Sequence, residues 1–148
     1  FTFPFGNGPE RMFENKDFGS NINNINLNKH NRKHLIRSSL EGIVFSMIYG
    51  LEILINDNVS PSIIRAGNDN LFQSDIFSKT FSTLSNNEIE IYDVTGAYGA
   101  ARAAGFGNEI TDINKNDFLK KITPSIDKNI YYDSYNRWKE KLTLILNK

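Results

Sequence analysis

The stretch Pro61 to Phe77, PSIIRAGNDNLFQSDIF, decides how the chain is read. A short apolar run breaks into Arg65-Ala66-Gly67-Asn68-Asp69-Asn70, mostly small or polar, and a helical pattern resumes at once. One reading is an ordinary turn, with Gly67 supplying positive φ and Asn68, Asp69 or Asn70 capping the next helix. The other is a ligand loop. A backbone free of bulky side chains, at the end of a strand and the start of a helix, lets a flat or phosphorylated ligand come close.

The surrounding pattern favours an α/β unit. Ser62 to Arg65 reads as a strand, Asn70 to Leu84 as a helix with Phe72, Ile76, Phe77, Phe81 and Leu84 inward, and Glu88 to Tyr92 as a second strand. Asp93-Val94-Thr95 then leads into a helix of small residues over 96 to 105, which Gly105 is placed to end. Strand, helix, strand, helix at these lengths points to crossover units on a mostly parallel sheet. Ligands in such sheets lie outside the carboxyl ends of the strands, where Arg65 to Asn70 and Asp93 to Gly96 both fall.

Upstream, residues 1 to 28 read as loop-rich, with a short strand expected near Asn21 to Leu27. From about Lys29 a broad apolar stripe of Ile36, Leu40, Ile43/Val44, Met47/Ile48, Leu51 and Leu54/Ile55 marks a helix that Asn56-Asp57-Asn58 ends. Its width suggests burial on more than one side. A helix over His34 to Ile55 would be about 33 Å long, but Arg37, Glu41 and Glu52 argue against a membrane span. Asp133 to Leu146 reads as a last amphipathic helix, with Tyr135, Trp138, Leu142 and Ile145 on one face.

The 148 residues fit one domain or part of one. Seventeen basic and seventeen acidic side chains cancel, so no global field recruits nucleic acid or an anionic membrane. The absence of cysteine excludes disulfides and thiolate metal sites and fits a cytoplasmic location. The chain opens on Phe1 without an initiator methionine, and the expectation is a piece of a longer protein. Asparagine fills twenty positions, so no single Asn carries an argument by itself.

Four stretches taken together resemble the C-terminal domain of the FGGY carbohydrate kinases, and within them the xylulose kinases. They are PFGNGPERMF at 4 to 13, HLIRSSLEGIVFSM at 34 to 47, IIRAGNDNLFQSDIF at 63 to 77 and TGAYGAARAAG at 95 to 105. Their order and spacing, over nearly the whole chain, make the resemblance specific. It implies an actin-like kinase of two ribonuclease-H-like domains, with this chain the partial second, nucleotide-binding domain (1 to 148) and the sugar-binding domain absent. The implied reaction is ATP-dependent phosphorylation of D-xylulose to D-xylulose 5-phosphate, with Mg²⁺ accompanying the nucleotide.

In that family a Gly-Gly-Gly-Ala loop, followed two positions later by a small polar residue, holds the adenosine part of ATP. Arg65, Ala66 and Gly67 take the glycine places, Asn68 the alanine place and Asn70 the polar place. The implied nucleotide contacts are Ala66, Gly67, Asn68 and Asn70; Arg65 and Ala66 depart from the family pattern. Thr95 to Ala101 resembles the helix that closes on this loop. The phosphate loops and the catalytic aspartate fall before Phe1, so no catalytic residue is assigned here and the fragment alone is expected to be inactive.

Other candidates read as structural. Asp69 fits a first-turn helix residue and Asp75 a solvated side chain, against a carboxylate pair. His30 and His34, four apart, lack a third metal ligand, so no metal site is assigned. The basic run Lys29 to His34 has no interleaved aromatics to suit nucleic acid. Glu10 and Arg11 match a family pattern interrupted by Pro9, with a closure role and a surface ion pair both open. Trp138 and its neighbouring tyrosines read as core. A kinase for glycerol, gluconate or another ketose is the first alternative, and a non-catalytic nucleotide-binding module the second. Oligomeric state is not legible, and a homodimer stays open.

Overall fold

The computed structural model describes residues 1–105 and 117–147. Two compact units divide the chain: Phe1–Ser60 with Ile126–Lys148, and Pro61–Ser125.

In the first unit, β1 (Thr2–Phe5) pairs antiparallel with β2 (Gly19–Ile22), placing Phe3 opposite Asn21 and Phe5 opposite Gly19. The expected loop-rich start therefore holds two strands, and the one expected over 21 to 27 lies earlier. Pro4 and the following Gly6, Gly8 and Pro9 make this segment read as loop, but Phe3 and Phe5 are both buried on β1. Helix α1 (Arg32–Asn56) packs on β1. It begins three residues later than expected because Asn31 caps it. The Asn31 side chain accepts the Lys33 N–H at 3.0 Å, and the Asn31 N–H donates to His34 Nδ1 at 3.2 Å.

Gly42 on α1 faces the Thr2 carbonyl so closely that a Cβ there would collide with its oxygen. The same oxygen accepts the indole N–H of Trp138, on α4 (Asn129–Leu146), at 2.9 Å. Trp138 is fully buried, stacked on Phe3 with ring centroids 5.4 Å apart and flanked by Phe45 and Tyr135. The expectation that Trp138, Tyr135 and Leu142 are core residues holds in this unit.

Helix α1 is long and apolar enough to cross a membrane by length and composition, a test that core helices of soluble proteins also pass. Its buried residues are Gly42, Val44, Phe45 and Ile48, and its Arg37 and Glu41 form an ion pair at 2.7 Å. Burial on more than one side is not found. Val44 and Ile48 of the expected stripe are buried with Gly42 and Phe45, while Ile36, Met47, Leu54 and Ile55 stay exposed.

In the second unit, β3 (Ile64–Gly67) runs parallel to β4 (Ile89–Tyr92), and β5 (Phe118–Ile122) lies antiparallel on the far edge of β4. The architecture is α/β, but the sheets are mixed rather than mostly parallel. The crossover through α2 (Asp75–Ser85) makes β3 and β4 parallel, whereas the chain after α3 (Gly96–Ala103) returns in the opposite sense.

The helix expected over 70 to 84 is two elements. Asn70 adopts a left-handed φ of 48° and opens a 3-10 turn through Gln73; Ser74 then caps α2 by accepting the Phe77 N–H at 3.4 Å. Phe77, Phe81 and Leu84 are buried as expected, while Ile76 is exposed. Ser78, Thr80, Ser82 and Thr83 are buried too. Their hydroxyls donate to the carbonyls of Phe72, Ile76, Asn87 and Lys79, which removes the penalty for burying them. Gly105, with φ 78°, follows α3 as expected of a helix terminator.

Replacing Trp138 by Ala removes the largest buried side chain of the first unit and the donor to Thr2. The expected loss is about 3–5 kcal/mol of stability, read by chemical denaturation of the protein carrying this chain. A loss no larger than that of an exposed Ile36→Ala control would contradict this account of the core.

Candidate functional site

Strand alternation sorts β3 and β4 into two faces. Ile89 and Ile91 are fully buried on one face, opposite Ile64 and Ala66 in the register. Arg65 and Gly67 point to the other, opposite Glu90 and Tyr92. Arg65 Nε donates to Glu90 Oε2 at 3.0 Å, and the Tyr92 hydroxyl donates to the same oxygen at 2.8 Å. The arginine in a family glycine place thus has a cross-strand partner.

This network sets the local protonation. The Tyr92 hydroxyl, and then Arg65, hold the Glu90 carboxyl below the ordinary carboxylate range. The bonds to Glu90 in turn raise the Arg65 guanidinium and the Tyr92 phenol.

Gly67 is the last strand residue, not a turn residue, and it is absent from the positive-φ glycines Gly8, Gly19 and Gly105. The expectation of positive φ at Gly67 is therefore corrected. Glycine is needed for a different reason: a Cβ at 67 would run into the Val94 carbonyl oxygen, with the Val94 carbonyl carbon only 3.1 Å away. The bare backbone admits the β4–α3 loop. Two more bonds fix that approach. Asn68 N–H donates to Tyr92 O at 2.8 Å, and Gly96 N–H donates to Asp69 Oδ2 at 2.8 Å.

Asp69 is thus not simply a first-turn residue; its carboxylate holds the first amide of α3. Asp75, expected to be solvated, is exposed and pairs with Lys120 at 3.3 Å. Asn68 and Asn70 do not cap α2, a role Ser74 takes.

Between the β3 end and α3 lies a cavity of about 320 Å³, at the small end of the range for small-molecule sites. Ala66 and Gly67 lie along the strand side, and Phe72, Tyr92 and Tyr98 supply aromatic rings. Arg65, Asp69 and Thr95 supply polar groups, while Gly96 and Gly99 leave the helix side open.

Of the four residues expected to contact nucleotide, Ala66 and Gly67 line this cavity. Asn68 and Asn70 do not: the Asn68 carbonyl accepts from Gln73 at 3.1 Å, and Asn70 is exposed in its left-handed conformation. Phe72 reads in the sequence as an inward helix residue and Tyr92 as the end of a strand, and Tyr98 carries no separate signal there. Their meeting at one cavity depends on a strand pairing that local pattern does not encode.

The remaining candidates make local contacts. Nδ1 of His30 accepts the Asn26 N–H at 3.1 Å, and Nδ1 of His34 serves the Asn31 cap. Among the described residues, no group of three or more His, Cys, Asp or Glu side chains could hold a metal. Glu10 meets Lys16 through backbone pairing, with its N–H donating to the Lys16 carbonyl at 3.1 Å.

Two outcomes follow from this geometry. Gly67→Ala should force the Val94 carbonyl away and lower the melting temperature, by an overpacking cost of roughly 1–3 kcal/mol; an unchanged melting curve would contradict the close approach. Glu90, with its carboxyl held low in the folded state, stabilises the protein above the ordinary carboxylate range, and that contribution is lost as pH falls through its lowered value. Glu90→Gln should accordingly flatten part of the acid limb of stability against pH, measured by denaturation at a series of pH values. An identical acid limb in the variant would refute the assignment.

No family model matches the chain, and no curated protein sequence matches it significantly. Solved structures do. A xylulose kinase from Rhodospirillum rubrum aligns with 88% of this chain at TM-score 0.60 and 19% identity. A gluconate kinase from Lactobacillus acidophilus aligns with 89% at TM-score 0.65 and 16% identity. A ligand-bound xylulose kinase, also from Lactobacillus acidophilus, aligns with 86% at TM-score 0.64 and 17% identity. This chain spans 28%, 29% and 27% of those proteins respectively, less than a third of each. The likeness runs through most of the chain and shows that it shares the fold of one part of these solved structures.

Proposed function

We propose that this chain is the C-terminal, nucleotide-binding part of an ATP-dependent sugar kinase, and that the cavity above Gly67 receives the adenosine portion of ATP. The observation that carries the reading is the cavity itself. Two loops at the carboxyl ends of parallel strands β3 and β4 converge on it, as the order of motifs in the sequence implies. Aromatic faces suit a purine, the open helix side admits a sugar, and the volume suits a nucleoside better than a whole triphosphate.

In this reading the chain's own residues bind and orient. Phe72, Tyr92 and Tyr98 pack against the base, and the ion pair with Glu90 neutralises Arg65 beside it. Thr95 and the start of α3 form the rim. In-line transfer of the γ-phosphoryl group, the base that accepts the hydroxyl proton and the Mg²⁺ ligands are assigned to the part of the enzyme before Phe1. The fragment alone is therefore proposed to be inactive, and the whole enzyme to be cytoplasmic.

D-Xylulose is the proposed acceptor on the strength of the sequence motifs, with gluconate the alternative that a structural neighbour favours. The non-catalytic alternative rested on Arg65 and Ala66. Since Arg65 has its own partner in Glu90, the loss of glycine there does not by itself argue for lost chemistry.

The test is ATP-dependent phosphorylation of D-xylulose, D-gluconate and glycerol by the full-length protein, together with Gly99→Leu. Gly99 lines the cavity and has open space where a Cβ would stand, so leucine fills the site without a backbone collision. The variant should raise the KM for ATP on the order of tenfold or more while leaving that for the sugar near its original value. Equal changes in both constants would remove the cavity assignment, and no phosphorylation of any sugar would remove the kinase reading.

A further inference from the structure

Among the polar groups lining the cavity, Arg65 is matched by Glu90, and Asp69 has no cationic partner among the described residues. Asp69 Oδ2 is committed to the Gly96 N–H at 2.8 Å, and no hydrogen bond or ion pair engages its other oxygen among the described residues. An ionised carboxylate only accepts hydrogen bonds, so this oxygen attracts donors and repels phosphate. A nucleotide offers two kinds of donor: the hydroxyls of its ribose and the exocyclic amine of its base.

Position separates them. Tyr92 is buried and Phe72 half-buried, whereas Thr95 and Gly96, beside the Asp69 carboxylate, are exposed. A base packed among the rings lies deeper, and the sugar lies toward the rim, from which the phosphates must reach solvent.

We infer that Asp69 is a specificity residue for ribose, its uncommitted oxygen accepting a 2′- or 3′-hydroxyl while the other oxygen braces α3 through Gly96. The inference rests on the nucleotide reading of this cavity. It gives the side chain two tasks with one geometry: the bond to Gly96 fixes the carboxylate, so its free oxygen is already placed when the nucleotide arrives. A site built to hydrogen-bond a hydroxyl rejects the analogue that lacks it, because the acceptor is then left without its partner.

The experiment uses the full-length protein with ATP, 2′-deoxyATP, 3′-deoxyATP and inosine triphosphate, comparing wild type with Asp69→Asn. The asparagine oxygen can still accept from Gly96, but its amide nitrogen cannot accept from a hydroxyl, so a purely bracing role leaves the selectivity intact. Wild type should prefer ATP to at least one deoxy analogue by about tenfold or more in kcat/KM, and Asp69→Asn should reduce that ratio to within about twofold. Retained ribose selectivity in the variant overturns the inference. So does a variant whose selectivity changes between ATP and inosine triphosphate instead, since that places the base amine at Asp69. Phosphorylation by wild type with no ribose preference overturns this inference alone. Failure with every nucleotide overturns the proposed function, and this inference with it.

Discussion

The meeting of two backbones at Gly67 organises the second unit. The Val94 carbonyl occupies the space a side chain at 67 would need, so the loop after β4 can lie directly over the end of β3. Tyr92 O then takes the Asn68 N–H, Asp69 takes the Gly96 N–H, and α3 starts where it does as a result. Backbone groups that would otherwise be orphaned at a strand end and a helix start satisfy one another or a carboxylate. The cavity is the space left beside this crossing, and its shape depends on a contact that tolerates only glycine.

The first unit has a comparable pinch. Gly42 brings α1 onto the Thr2 carbonyl, and the Trp138 indole holds the same oxygen. In both places a helix or loop approaches a strand more closely than a Cβ permits. Close approach, rather than unusual φ, is what these two glycines provide. The sequence alone does not distinguish the two uses, because a glycine between small or polar neighbours suits a turn equally well.

That ambiguity shows which parts of the structure were legible. Helices α1, α2 and α4 declare themselves by apolar spacing, and β4 by the alternation of Ile89 and Ile91 with Glu88 and Glu90; the starts of α1 and α2 shift by a few residues because capping by Asn31 and Ser74 decides them locally. Strand β1 was missed because Pro4 lies inside it and Gly6, Gly8 and Pro9 follow at once, a composition that reads as loop. The sheet direction was misjudged because β5 follows α3 in a sense that no local pattern records. At the site, the motif points to Ala66 and Gly67, which line the cavity, and to Asn68 and Asn70, which do not. The role of Asp69 was not legible because its partner Gly96 lies 27 positions away. Folding assembled the remaining lining from aromatics whose separate positions suggested only packing.

The central claim is that the space above Gly67 holds a purine nucleoside. Photolabelling of the full-length protein with 8-azidoadenosine triphosphate, followed by peptide mapping, tests it most directly. The account predicts label, displaced by ATP, within residues 65–73 and 92–99. ATP-protected label confined to other segments would contradict it.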